Sequence, residues 1–94
     1  MHKPHQHQET SRIDFPCLFT IKTFGKATQE YQTAVLRIMK QQLSESFDET
    51  SVRQRYSKDN NYLALSITIT AQSKQQLDSI YHALSQEPLV TMAL

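Results

Sequence analysis

Few side chains in this sequence are placed to do chemistry, and the strongest candidates dissolve one at a time. Asp48 and Glu49 stand together between two patterned segments. Two adjacent carboxyls can divide acid and base work when one environment holds a proton and the other does not. Nothing nearby supplies that asymmetry, so the pair reads as solvated loop charge. His2, His5 and His7 have an H-x-x-H-x-H spacing able to clip a divalent metal, but no carboxylate or cysteine adjoins them to complete a ligand set. They read as part of a solvated tail. Cys17 is the only cysteine, which excludes an internal disulfide and any multi-cysteine zinc or iron–sulfur centre. With Lys22 and Lys26 several residues away, nothing enforces its thiolate, and it reads as a small, partly buried structural residue. His82 has no acid or nucleophile partner in sequence and reads as an exposed helical side chain. No catalytic residue, metal or cofactor is assigned, and the chain is expected not to be an enzyme.

What remains is basic. Lys22, Lys26, Arg53 and Arg55, with Gly25 beside Lys26, are the residues on which a binding site can be built, and their value depends on where the backbone puts them. The chain has 94 residues, 38% of them apolar, so it can form one small domain. Mean hydropathy is −0.54, polar for a globular chain but not in the disordered class. A net charge of +1 provides no global field toward nucleic acid or anionic lipid. No apolar run reaches membrane-spanning length, and since the N-terminal residues lack the apolar segment of a signal peptide, none is expected. A soluble, cytoplasmic protein is expected.

Residues 1–12 carry no apolar side chain after Met1 and are expected to form a disordered tail before a single domain over 13–94. Residues 17–24 alternate as a half-buried strand, and Gly25 is expected to mark its turn. Tyr31, Val35, Ile38, Met39 and Leu43 make the apolar stripe of a helix over about 28–43, with Thr28 as N-cap. Phe47 is expected to pin the polar loop that follows. A second strand spans 52–58 with Val52 and Tyr56 inward, and Asp59-Asn60-Asn61 forms a turn. The cleanest alternation is 62–71, with Leu63, Leu65, Ile67 and Ile69 on one side and Ala64, Ser66, Thr68 and Thr70 on the other. Ser73 and Gln76 form a capping box for a second helix built on Leu77, Ile80, Tyr81 and Leu84, which Pro88 stops. Residues 89–94 are expected to form a last strand with Val90 and Met92 toward the core. The order β-α-β-β-α-β predicts an α+β ferredoxin-like sandwich, an antiparallel sheet of order 4-1-3-2 with both helices on one face.

On that fold Lys22, Arg53 and Arg55 emerge on the uncovered side of the sheet around a floor of Ala64, Ser66 and Thr68. A small floor with a basic rim suits an anionic ligand or an acidic partner. The plainer alternative is a solvated face whose edge charges prevent sheet-to-sheet pairing. The turn from Gly25 through Lys26 to Thr28 offers backbone N–H groups that an anion could use at the start of the first helix, though without a richer glycine pattern a plain strand-to-helix turn is the favoured reading. Base stacking on 64, 66 and 68 is unsupported by their side chains, so nucleic acid is an unfavoured partner. An acylphosphatase-like site would need an arginine between Thr23 and Tyr31, where there is none. The uncharged segment 89–94 can accept an added strand from a partner or from a second copy, making a homodimer.

From Phe15 onward the chain resembles the YbeD-like family of small bacterial proteins. Phe15-Pro16, Phe19-Thr20, Lys22 and Gly25 carry the likeness, followed by Ser57-Lys58, Asn61-Tyr62 and Ser66-Ile67-Thr68-Ile69 with Ala71. Val90, Met92 and Leu94 complete it. The match covers roughly residues 14–94. Where the family tends to a glycine turn this chain has Asp59-Asn60. The resemblance implies a ferredoxin-like fold similar to effector-binding ACT domains, and a proposed lipoate regulatory role with no catalytic residue to carry over. The expected function is therefore a non-enzymatic regulatory or adaptor module that binds a partner protein or small anionic metabolite. A nucleic-acid binder using the basic rim is the alternative.

Overall fold

Regular alternation over 62–71 has a simple cause: one side of this strand is dry and the other is not. In the computed structural model, which describes residues 14–94, strand β3 (Tyr62–Ala71) buries Leu63, Leu65, Ile67, Ile69 and Ala71 and turns the intervening residues away. The tail expected over 1–12 lies outside the described residues, as does Ile13. Strand β1 (Cys17–Lys26) runs antiparallel to β3 over its whole length, from Cys17 opposite Ala71 to Lys26 opposite Tyr62. Strand β2 (Val52–Tyr56) flanks β3 on the other side, and the short β4 (Met92–Ala93) flanks β1. The order β2-β3-β1-β4 is the expected 4-1-3-2 arrangement read from the other edge.

Helices α1 (Gln29–Leu43) and α2 (Lys74–Ser85) close over the dry side. The expected stripe of α1 is buried, joined by Ala34, and Leu77, Ile80 and Leu84 of α2 meet it, with Tyr81 half-buried beside them. Both N-termini are capped as their sequences predict. The Thr28 hydroxyl accepts the Tyr31 N–H at 3.1 Å, and the Ser73 hydroxyl accepts the Gln76 N–H at 3.0 Å. The Gln76 side chain reaches back to the N–H of Gln72, one residue beyond the usual reciprocal partner. Phe47 packs against the core from the loop that joins α1 to β2. The β2–β3 hairpin turns through Asn60 at φ 63°, where a short polar side chain tolerates left-handed backbone. Asp59 ties the turn, accepting from the Ser57 hydroxyl and from the Asn61 backbone and side-chain N–H groups. The Ser57 hydroxyl, then the Asn61 N–H, hold its carboxyl below the ordinary range.

Gly25 corrects one expectation. The strand does not turn there; it continues to Lys26, and Gly25 does not adopt a positive φ. Its role is spatial. A Cβ at this position would lie 2.6 Å from both the Tyr31 ring and the Leu89 carbonyl oxygen. The absent side chain lets α1 and the segment leading to β4 close on β1 at one point. Beside it, the buried Thr23 hydroxyl bonds the Tyr31 hydroxyl at 2.7 Å, so the two buried hydroxyls satisfy each other. Burial raises the Tyr31 phenol above its ordinary value, only partly opposed by that bond.

Two strand boundaries also differ. Strand β2 ends at Tyr56 rather than residue 58, because Ser57 already begins the tied turn. Tyr56 lies on the helix side, opposite Leu63, but remains 47% exposed because it stands at the sheet edge. The last strand is only two residues long, and Met92 is not a core residue. A turn in which the Val90 N–H bonds the Glu87 carbonyl delays pairing, so Ala93 faces inward with Thr23 and Met92 outward with Phe24.

Three substitutions test this packing, read as urea-denaturation free energies. Ile67→Ala removes a fully buried β3 side chain and is expected to cost about 2–5 kcal/mol. Gly25→Ala is expected to cost about 1–3 kcal/mol, because its Cβ meets a backbone carbonyl and a packed ring. A Gly25→Ala protein as stable as the parent would show that the approach is slack. Tyr31→Phe strands the Thr23 hydroxyl and is expected to cost about 1–3 kcal/mol at neutral pH. A phenol whose folded value is raised adds stability below its ordinary value of about 10, lost as pH rises through the folded value. The gap between the parent and the Tyr31→Phe variant should therefore narrow in alkaline melts.

Candidate functional site

The four strands contain four charged side chains, Lys22, Lys26, Arg53 and Arg55, and no carboxylate. Pleat parity puts all four on the side away from the helices. Arg53, Ser66 and Lys22 form one row across the sheet, ending at Leu94, whose backbone exchanges hydrogen bonds with Lys22 at 2.7 and 2.9 Å. Arg55, Ala64, Phe24 and Met92 form the next row, and Tyr62 with Lys26 the one beyond. On the other side of the Arg53 row, the hydroxyls of Thr20 and Thr68 bond each other at 3.0 Å. Two strand spacings of about 4.8 Å separate β2 from β1, so the cations border a trough about 10 Å wide floored by β3.

All four cations are exposed, and among the described residues none lies in an ion pair. The pairs that exist are on the helical side: Arg37 with Glu87 at 3.2 Å, Lys40 with Glu49 at 2.7 Å and Lys74 with Asp78 at 2.8 Å. The net charge of +1 thus conceals a segregated distribution, with cations alone on the sheet and both signs on the helices and loops. Lys22, Arg53 and Arg55 stand around Ala64, Ser66 and Thr68 as expected from sequence, and Lys26 joins them across from Tyr62.

Gly25 does not join them, being buried beneath Tyr31. The expected anion-binding turn is also partly occupied, since the Ala27 N–H bonds the Asn61 carbonyl and the Thr28 N–H bonds the Lys26 carbonyl. The Asp48–Glu49 pair is divided between structural tasks. Glu49 pairs with Lys40, while Asp48 accepts the Thr50 hydroxyl at 2.6 Å and the Thr50 N–H at 2.9 Å, which lower its carboxyl. Cys17 is half-buried against the core and His82 is exposed on α2. Among the described residues no three metal-ligating side chains cluster, and no helix is long and apolar enough to cross a membrane.

The open face also carries apolar side chains beyond those expected there. Phe24 is half-buried, while Tyr62 (54% exposed), Leu18 (77%), Met92 (49%) and Leu94 (62%) meet solvent. Phe24 and Tyr62 share the parity of Lys22 and Ala64, so strand alternation alone carries the signal that would have found them. Ala64, the smallest side chain of its row, sits between Arg55 and Phe24 with Tyr62 diagonally adjacent. The result is a recess of about 220 Å³.

Comparison with known proteins agrees with this fold. The solution structure of protein HP0495 from H. pylori superposes with a TM-score of 0.70, covering 100% of this chain and 97% of that one at 14% identity. UPF0250 protein NE1487 of Nitrosomonas europaea is 45% identical over 86 residues, 92% of this chain and 98% of that protein. A UPF0250 protein of Leptothrix cholodnii is 40% identical over 87 residues, 93% and 94% of the two chains. The family described as protein of unknown function (DUF493) matches residues 10–94. The likeness to the YbeD-like proteins is consistent with these matches, and the chain belongs to the DUF493 family.

Proposed function

We propose that this protein is a non-enzymatic regulatory or adaptor module that binds an acidic partner through the open face of its sheet. The observation that carries this reading is the set of four exposed cations on strands that hold no carboxylate. Cations that have no ion-pair partner among the described residues, on a face of small and apolar side chains, are poised to exchange solvent for carboxylates. The exposed Leu18, Met92 and Leu94 along the β1–β4 edge add apolar area to the same face. The structural employment of Asp48, Glu49 and Asp59 supports a binding role over acid–base chemistry.

A second reading has one observation in its favour. Phe24 and Tyr62 place two aromatic rings beside Arg55 and Lys26, which is the chemistry that holds single-stranded nucleic acid. The objection from missing aromatic residues therefore loses force, but the trough floor over Ser66 and Thr68 offers nothing to stack on. An acidic protein is preferred.

The test is recovery of binding partners by tagged protein, comparing the parent with Arg53→Glu/Arg55→Glu. The double variant should retain its thermal unfolding midpoint, because both side chains are exposed, and should lose the proteins that the parent recovers. Recovery of the same proteins by both would remove this face from the function. Recovery that falls steeply with salt and vanishes on nuclease treatment would favour the nucleic-acid reading.

A further inference from the structure

We infer that the recess over Ala64 is an anchor subsite for one aromatic side chain of a partner, flanked in that partner by carboxylates. The inference rests on the adaptor reading and gives the partner's binding segment a chemistry.

Size is the first argument. About 220 Å³ is below the roughly 300–1,000 Å³ of sites that enclose a whole small ligand, and fits a single large side chain. Lining is the second. Phe24 and Tyr62 offer ring surface on two sides, Ala64 leaves the floor low, and Arg55 stands at the rim with no carboxylate partner among the described residues. A guanidinium beside aromatic walls prefers a ring to an aliphatic group, since it can lie over the ring face. Surroundings are the third. Lys26 adjoins Tyr62, and Arg53 and Lys22 lie in the next row, so chain leaving the recess in either direction along the trough meets cations. A central apolar anchor within a charged rim is the usual distribution of binding energy at a protein interface. The neighbouring Ser57 hydroxyl is already engaged by Asp59 and by the Tyr62 N–H, so it does not compete for the guest.

The experiment uses the full chain and three fluorescent probes at one salt concentration. The first is a short Asp/Glu/Ser peptide with a central Trp, the second is the same peptide with Ala at the centre, and the third is oligodeoxythymidine. The Trp peptide is expected to bind at least about tenfold more tightly than the Ala peptide. Ala64→Leu, which fills the recess, should erase that difference while leaving the Ala peptide unaffected. Arg53→Glu/Arg55→Glu should weaken both peptides. Tyr62→Ser, at an exposed position, gives the same reading should Ala64→Leu disturb the strand. Equal affinity for the two peptides, both still sensitive to the arginines, overturns the anchor and leaves the adaptor reading standing. Failure of both peptides to bind, or indifference to the arginine changes, overturns both. Tighter binding of oligodeoxythymidine than of the Trp peptide overturns the anchor in favour of a nucleic-acid face.

Discussion

The closure of α1 onto β1 at Gly25 is the constraint on which the rest of the structure depends. One position without a side chain admits the Tyr31 ring from one element and the Leu89 carbonyl from another. The same ring carries a hydroxyl that satisfies that of Thr23 within the buried core. Ring, hydroxyl and vacancy are therefore one device. It seats the first turn of α1, which Thr28 caps, and it brings the chain after α2 close enough for β4 to pair with β1. In a core this small a misfit at that point reaches every neighbour, because a close-packed interior has no slack to absorb it.

The two sides of the sheet follow opposite rules. On the helix side, β1 and β3 pair apolar side chains with apolar ones except where Thr23 faces Leu65, and the helices remove them from water. On the other side, cross-strand rows combine a cation, a small or aromatic floor and an exposed apolar end. The helical side mixes charge signs, as in Arg37–Glu87 and Lys74–Asp78, whereas the strands carry cations alone. Exclusion of carboxylates from all four strands leaves the cations available to groups outside the chain. Low net charge and a strongly one-signed sheet coexist because the acids of the described residues sit on the helices and loops.

Much of this is legible in the chain itself. Alternation over 62–71, the stripes of both helices and the two N-caps are local patterns, and each of those elements forms where its pattern predicts. Where the pattern weakens, so does the expectation drawn from it. Residues 89–94 are nearly all apolar, so no period marks which side chains face in, and a turn through Pro88 shifts Met92 to the outside. Gly25 carries a backbone signal whose meaning is contact rather than conformation. The recess over Ala64 is hidden for a different reason: its walls come from three strands whose register has to be known first.

Element order and the dry faces of β1, β3 and both helices were fixed before any long-range contact is considered, because they follow from periodicity and capping within a few residues of chain, and the handedness of the two crossovers then set the sheet order. Folding in three dimensions decided that Tyr31 and Leu89 converge on Gly25, that cations from β1 and β2 share a face whose strands carry no acidic side chain, and that Phe24, Tyr62 and Arg55 line the recess over Ala64. Those facts depend on register between segments far apart in the chain. A shift of one residue would have sent every one of those strand side chains to the other face.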